Sequence, residues 1–162
     1  MKSKKLKIFV IGDTHDSPHI PDKSRFGWFA KHISKTKPDA IVHIGDFVTL
    51  DSCTHYIKDD TYTARIEKPY FTQEIRSLEG ALEEFDYWHK YKKIPKYITF
   101  GNHERRLWRY EDKNPSFYGL GQKELLGSFA KYKWKVIPYG TYLMLGGVGF
   151  IHAPLNPMGK EY

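Results

Sequence analysis

The chain has 162 residues with 40% hydrophobic content, enough to bury one core, and no apolar run approaches the length of a membrane span. A single cysteine, Cys53, excludes an internal disulfide and suits a reducing compartment, so a cytoplasmic protein is expected. The 26 Lys and Arg against 19 Asp and Glu give a net charge of +7, which suits an anionic partner, nucleic acid or a phosphorylated substrate, as well as it suits a merely basic surface.

Residues 6–11, LKIFVI, are nearly all apolar and rich in β-branched and aromatic side chains, the pattern of a strand buried on both faces. The basic lead-in MKSKK mimics the head of a signal peptide, but the apolar run is too short and meets Gly12-Asp13 instead of a small-residue cleavage site. The spacing of Phe26, Phe29, Ala30 and Ile33 predicts a helix from about Asp22 to Lys35, with Asp22 as its N-cap and Lys37-Pro38-Asp39 as its stop. AIVHI at 40–44 is the second predicted strand and ends on Gly45-Asp46. Residues 49–70 have no period and read as a long loop on the strand-end side. Ile75, Leu78, Leu82, Phe85 and Trp88 predict a second helix over 71–91, stopped by Ile94-Pro95. KYITF at 96–100 is the third strand, closed by Gly101; a loop after Arg106 leads to a short helix near 121–131. WKVIP, TYLML and VGFIH read as short strands of a β-rich end, the last two joined by a Gly146-Gly147 hairpin turn. The order argues for an α/β core that runs into a second sheet, in a single domain over 1–162.

Three of the predicted strands end alike, on GDTHDS (12–17), GDFVTLDS (45–52) and GNHERR (101–106). Neighbouring parallel strands deliver their C-terminal ends to one edge, where ligands bind. Asp13, His15, Asp46, Asn102 and His103 are therefore expected to meet there. Carboxylate, imidazole and amide oxygen form a hard-to-borderline donor set that suits Mn, Fe or Zn. Asp13 and His15 can grip one ion from one side of a turn. Asp46, alone on its loop, is placed to bridge two ions, and Asn102 offers the second ion a neutral oxygen. His152, at the end of VGFIH, is a further expected ligand. Taken singly, each of these residues is commoner as a cap, a turn residue or a packed histidine; their repetition on strand ends carries the metal reading.

In this spacing the chain resembles the calcineurin-like metallophosphoesterases, whose signature is D-x-H, G-D, G-N-H-E/D, a lone His and finally G-H-x-H. The first four blocks stand as Asp13-x-His15, Gly45-Asp46, Gly101-Asn102-His103-Glu104 and His152, across nearly the whole chain. The details look most like phage and bacterial members; GDTHDS and GDFVTLDS lack the glycine and the V-D-R-G of protein Ser/Thr phosphatases. The resemblance implies a metallo-dependent phosphatase-like α/β/β/α sandwich and two divalent ions, with manganese favoured. Asp13 and His15 would hold the first ion, Asp46 would bridge, and Asn102 and His152 would hold the second. His103 would be the general acid rather than a ligand. Two cations about 3.5–4 Å apart clamp a phosphoryl group and acidify a shared water for in-line attack. Arg105 and Arg106 are candidate phosphate-binding forks, and Glu104 is expected to orient His103 or cap the following turn.

No G-H-x-H stands in these residues. The expectation is a domain whose closing block, with the C-terminal part of the second sheet, is missing here through truncation or lies on a second chain. His19 and His55, both on loops, are faint substitutes; His32, His43 and His89, on helices or mid-strand, are poorer ones. The basic charge and Tyr56, Tyr62, Trp108, Tyr110, Phe117 and Tyr118 would suit a nuclease that stacks bases, and a small phosphomonoester or phosphodiester is equally compatible. The alternative is a nucleic-acid-binding protein that keeps the fold without the chemistry.

Overall fold

A computed structural model describes residues 5–54, 68–156 and 158; His55, Tyr56 and Tyr62 lie outside the described residues. Four parallel strands form the main sheet: β1 (Ile8–Ile11), β2 (Ala40–His43), β3 (Lys96–Thr99) and β4 (Trp134–Ile137), in the order β1-β2-β3-β4. Helices α1 (Ser24–Thr36), α2 (Phe71–Trp88), α3 (Asn102–Lys113) and α4 (Leu120–Lys131) make the crossovers. Each crossover advances one strand in the same direction. Right-handed connections therefore place the crossover helices on one face, where α1 packs on α2 and α2 on α4.

The register aligns Phe9, Ile41, Lys96 and Trp134 across the sheet, with Ile11, His43, Ile98 and Val136 two residues further along the same face. That face meets the helices: the Phe85 and Trp134 rings sit 5.4 Å apart, and Phe26, Ala30, Ile33, Leu78, Leu82 and Phe85 complete a buried core. The apolar stripes read from the spacing of the first two helices are thus the packed stripes. A second sheet pairs β5 (Leu143–Leu145) with β6 (Val148–Phe150), antiparallel. Gly146 and Gly147 both take positive φ, 57° and 82°, as a primed two-residue turn requires.

Several sequence expectations change. The segment after Arg106, expected as a loop, continues a helix that begins at Asn102 and runs to Lys113. The buried side of α3 carries Glu104, Leu107 and Glu111, so its inward stripe is mostly acidic and has almost no apolar period. WKVIP is not part of a separate β-rich end; it is β4, the fourth strand of the parallel sheet. The N-cap of α1 is Lys23, and Asp22 instead accepts the Ser24 N–H at 2.8 Å from one position earlier. Residues 89–91 lie beyond the end of α2, and His152 lies in a bend two residues past β6 rather than within a strand.

Candidate metal centre

The parallel sheet does the assembling. After β1 the chain runs through Asp13 and His15, after β2 through Asp46, and after β3 directly into the first turn of α3 with Asn102 and His103. His152 arrives from beyond β6 onto the same edge. His152 Nε2 lies 3.4 Å from Asp46 Oδ2 and 3.0 Å from Asn102 Oδ1, and its Nδ1 is 3.7 Å from Asp13 Oδ1. His15 Nε2 is 3.9 Å from Asp13 Oδ2, His103 Nε2 is 3.9 Å from Asp46 Oδ2, and the two rings meet edge to face at 4.6 Å. The ligand-capable atoms fall into two triads, Asp13–Asp46–His152 and His15–Asp46–His103, and Asp46 belongs to both. His19 is in neither. Asp13 thus stands as close to His152 as to His15, so the two sides of the site are less separate than their spacing implied.

The donor directions suit a cation. His152 Nδ1 is 2.8 Å from the Ile44 carbonyl and so carries its proton there. That leaves the Nε2 lone pair facing Asn102 Oδ1 and the Asp46 carboxylate, acceptors against acceptors, which a positive ion between them would reconcile. Backbone strain accompanies the arrangement: His15 and Asp46 hold left-handed conformations, φ 45° and 49°. Gly45 has φ 100°, and a Cβ there would sit 2.7 Å from His152 Nδ1; one on Gly101 would reach the Asp46 backbone nitrogen at 2.7 Å. These two glycines give Asp46 and His152 their room.

A family model described as calcineurin-like phosphoesterase matches residues 6–158. The chain belongs to the calcineurin-like phosphoesterase family. It is therefore a metal-dependent phosphoester hydrolase of α/β sandwich fold, and the donor groups just described fit that family's divalent ions. No curated protein matches it closely enough to count as a relative.

What holds the phosphoesterase site in shape is a set of buried polar groups, of which the sequence reading named only Glu104, as a group to orient His103 or cap the following turn. Glu104 is fully buried. Its Oε2 accepts the N–H groups of Gly101 (2.8 Å) and Asp46 (3.0 Å), and its Oε1 those of Phe47 (2.7 Å) and Val48 (3.3 Å). It caps α3 and pins the Asp46 loop at once, and it does not orient His103. Burial pushes its carboxyl up to about 7, with Asp46 adding to the rise and the N–H donors opposing it. Glu74 of α2 receives the N–H groups of Asp51 and Ser52 at 2.6 and 3.2 Å, and burial raises its pKa also. Asp16 takes Lys23 Nζ at 2.7 Å, Arg25 at 3.0 Å and Ser77 Oγ at 2.7 Å, while its backbone ties into Phe47 and Thr49.

His43 links two of the site loops. The Thr14 hydroxyl donates to the Phe47 carbonyl, so at 3.1 Å it accepts the Nε2–H of His43; His43 Nδ1 then accepts the Gly45 N–H at 3.3 Å. Both ring nitrogens are used by the neutral form. Burial holds His43 down at about 3, with His152 and His15 adding to the effect.

The three remaining predicted groups lie as follows. His103 donates Nδ1–H to the Thr49 carbonyl at 2.8 Å and accepts Arg106 at Nε2 at 3.0 Å. Burial lowers its pKa, and Arg106 and His15 add to this against Asp46 and Thr49. Arg106 also donates to the Thr49 carbonyl and to Asp51, so its fork is used inside the protein. Arg105 points elsewhere, with its guanidinium 4.6 Å from the centre of the Tyr139 ring. A sequence signal for the missed acids exists. Glu74 falls in register with Leu78, Leu82 and Phe85 on the apolar face of its helix, where an unpartnered carboxylate would be costly.

Proposed function

We propose that the chain hydrolyses phosphate mono- or diesters with two divalent ions held by Asp13, His15, Asp46, Asn102 and His152. The membership of Asp46 in both triads carries this reading, because a shared carboxylate between two donor sets is the arrangement of a bridging ligand. When bound, the ion pair supplies Lewis-acid charge and an acidified water. Manganese is the metal we favour for this oxygen and nitrogen set. The protein groups supply the rest. Asn102 adds an oxygen without adding charge. His103, with Nδ1–H fixed on Thr49, keeps Nε2 turned to the site; once phosphate oxygens draw Arg106 away, their negative charge favours the imidazolium, so Nε2 takes a proton from solvent and then delivers it to the leaving alkoxide. The +7 charge supports an anionic substrate, DNA and RNA among them, and a second chain supplying further imidazoles is compatible with the open donor set. The single buried cysteine supports a cytoplasmic setting, and among the described residues no helix is long and apolar enough to cross a membrane.

The test is manganese titration alongside hydrolysis of bis(4-nitrophenyl) phosphate. Asp46→Asn should lose both bound ions and turnover. His103→Ala should keep the ions and lose about 10²–10⁴-fold in rate. Asp46→Asn retaining full metal stoichiometry would sink the bridging role, and metal-independent DNA binding with no turnover would favour the non-catalytic alternative.

A further inference from the structure

Beside the donor cluster, along the same strand-end edge, lies a cavity of about 540 Å³ between α3, α4 and the end of β4. Its walls include Phe100, Arg105, Trp108, Leu126, Tyr139 and Leu155. Both flanks connect it to the site. Arg105 stands one helical turn from Asn102 on α3, and Leu155 stands three residues after His152. β4 is the neighbour of β3 in the sheet, so the cavity occupies the next position along the crevice. The volume suits a small organic group. Its walls are aromatic and aliphatic with one cation, since Arg105 lies against the Tyr139 ring and Trp108 stands edge-on to Phe100 at 5.6 Å.

We propose that this cavity is the subsite for a nucleobase carried by the phosphate ester, which makes the substrate a nucleotide or a nucleic-acid strand. The inference rests on the phosphoesterase reading for the phosphate itself and adds what recognises the rest of the molecule. Charge complementarity favours this occupant: a base offers a flat π-face to Trp108 and Tyr139, and its phosphate offers a negative partner to the Arg105 guanidinium at the wall. A purely aliphatic ester would offer the same phosphate and no π-face.

The test compares adenosine 5′-monophosphate with ribose 5-phosphate, which has the same phosphate and no base, by isothermal titration without added metal. The expected result is adenosine 5′-monophosphate binding about tenfold or more tightly, in line with the stacking of one base. Leu126→Trp, which fills the cavity from the exposed side of α4, should bring the ratio close to one, and Tyr139→Leu should lower it. Thermal melting of each variant confirms that it is folded. A ratio near one in the wild type, or an unchanged ratio in both variants, overturns the proposal. A deoxyadenosine tetramer binding more tightly than the monophosphate, and losing the same factor in Leu126→Trp, identifies a strand as the source of the base; equal affinities identify a mononucleotide. Base preference together with metal-dependent hydrolysis that survives Asp46→Asn would leave the subsite standing and remove the metal assignment, so the two failures are distinct.

Discussion

Replacing Glu104 by Gln is the most direct probe of how the site is built. The side chain keeps its shape and loses an acceptor. The wild-type carboxylate takes four backbone N–H groups, two on each oxygen. In Gln the amide nitrogen must replace one oxygen, so two backbone donors face another donor in a site with no access to water. Each buried donor left without an acceptor costs about 1–3 kcal/mol. Two of them, partly relieved by local shifts, put the loss at roughly 3–4 kcal/mol. For a chain of this size that is a fall of about 10 °C in Tm. The same change loosens the turn that carries Asp46, so manganese affinity should drop about 10–100-fold, the usual effect of removing a partner that orients a ligand. Urea denaturation and metal titration on one preparation read both quantities. A Glu104→Gln protein within about 0.5 kcal/mol of wild type, with unchanged metal affinity, would refute the view that this carboxylate pins the Asp46 loop.

Gly45→Ala should cost about 1–3 kcal/mol and weaken metal binding, because the residue has φ 100° and the new methyl would meet the His152 ring; a calorimetric metal titration reads the second effect. Asp16→Ala leaves Lys23 and Arg25 without their shared carboxylate and should lower stability by about 2–3 kcal/mol in urea, below the usual range for a fully buried pair because both cations reach solvent. His43 predicts a pH dependence. Its folded pKa, about 3, lies below the ordinary 6.5, so its contribution is complete above about pH 6.5 and is lost as pH falls from there towards 3. The gap corresponds to a loss on the order of 5 kcal/mol at the acid end, and a pH series of denaturation midpoints should show a shallower acid slope in His43→Asn.

The residues of the candidate site were legible because the rule that places most of them is local. A buried apolar run followed by Gly-Asp or Gly-Asn names a strand end, and parallel strands share an edge. Asp13, His15, Asp46, Asn102 and His103 could be grouped on that basis alone; His152 follows an antiparallel strand of the second sheet and could be added only as one more histidine at a predicted strand end. The failures have a common cause. The inward face of α3 is Glu104-Leu107-Glu111, and an acidic stripe does not look like a packed face until its hydrogen-bond donors are known. Those donors belong to other loops. Arg106 is likewise legible as a cation but not as the partner of Thr49, Asp51 and His103. Periodicity marks WKVIP as a strand and says nothing of which sheet it joins.

The placement of the buried acids bears on how the site works. Glu104, Glu74 and Asp16 come from three helices or loops and each fixes a different part of the crevice: the turn at 46–48, the segment at 51–52 and the loop after β1. None of the three is among the six residues that converge on the metal centre. Backbone N–H groups, not cations, satisfy most of their oxygens, so the loops are ordered by folding and do not wait for a metal. The cost of that ordering is then met by the core, and little of the metal's binding energy is spent on arranging its own ligands. The left-handed backbones of His15 and Asp46 fit the same logic, since strain at a ligand persists only where the surroundings over-determine it. The converging lone pairs of His152, Asn102 and Asp46 are what such a frame holds together without a cation, and their mutual repulsion is a cost that ion binding removes.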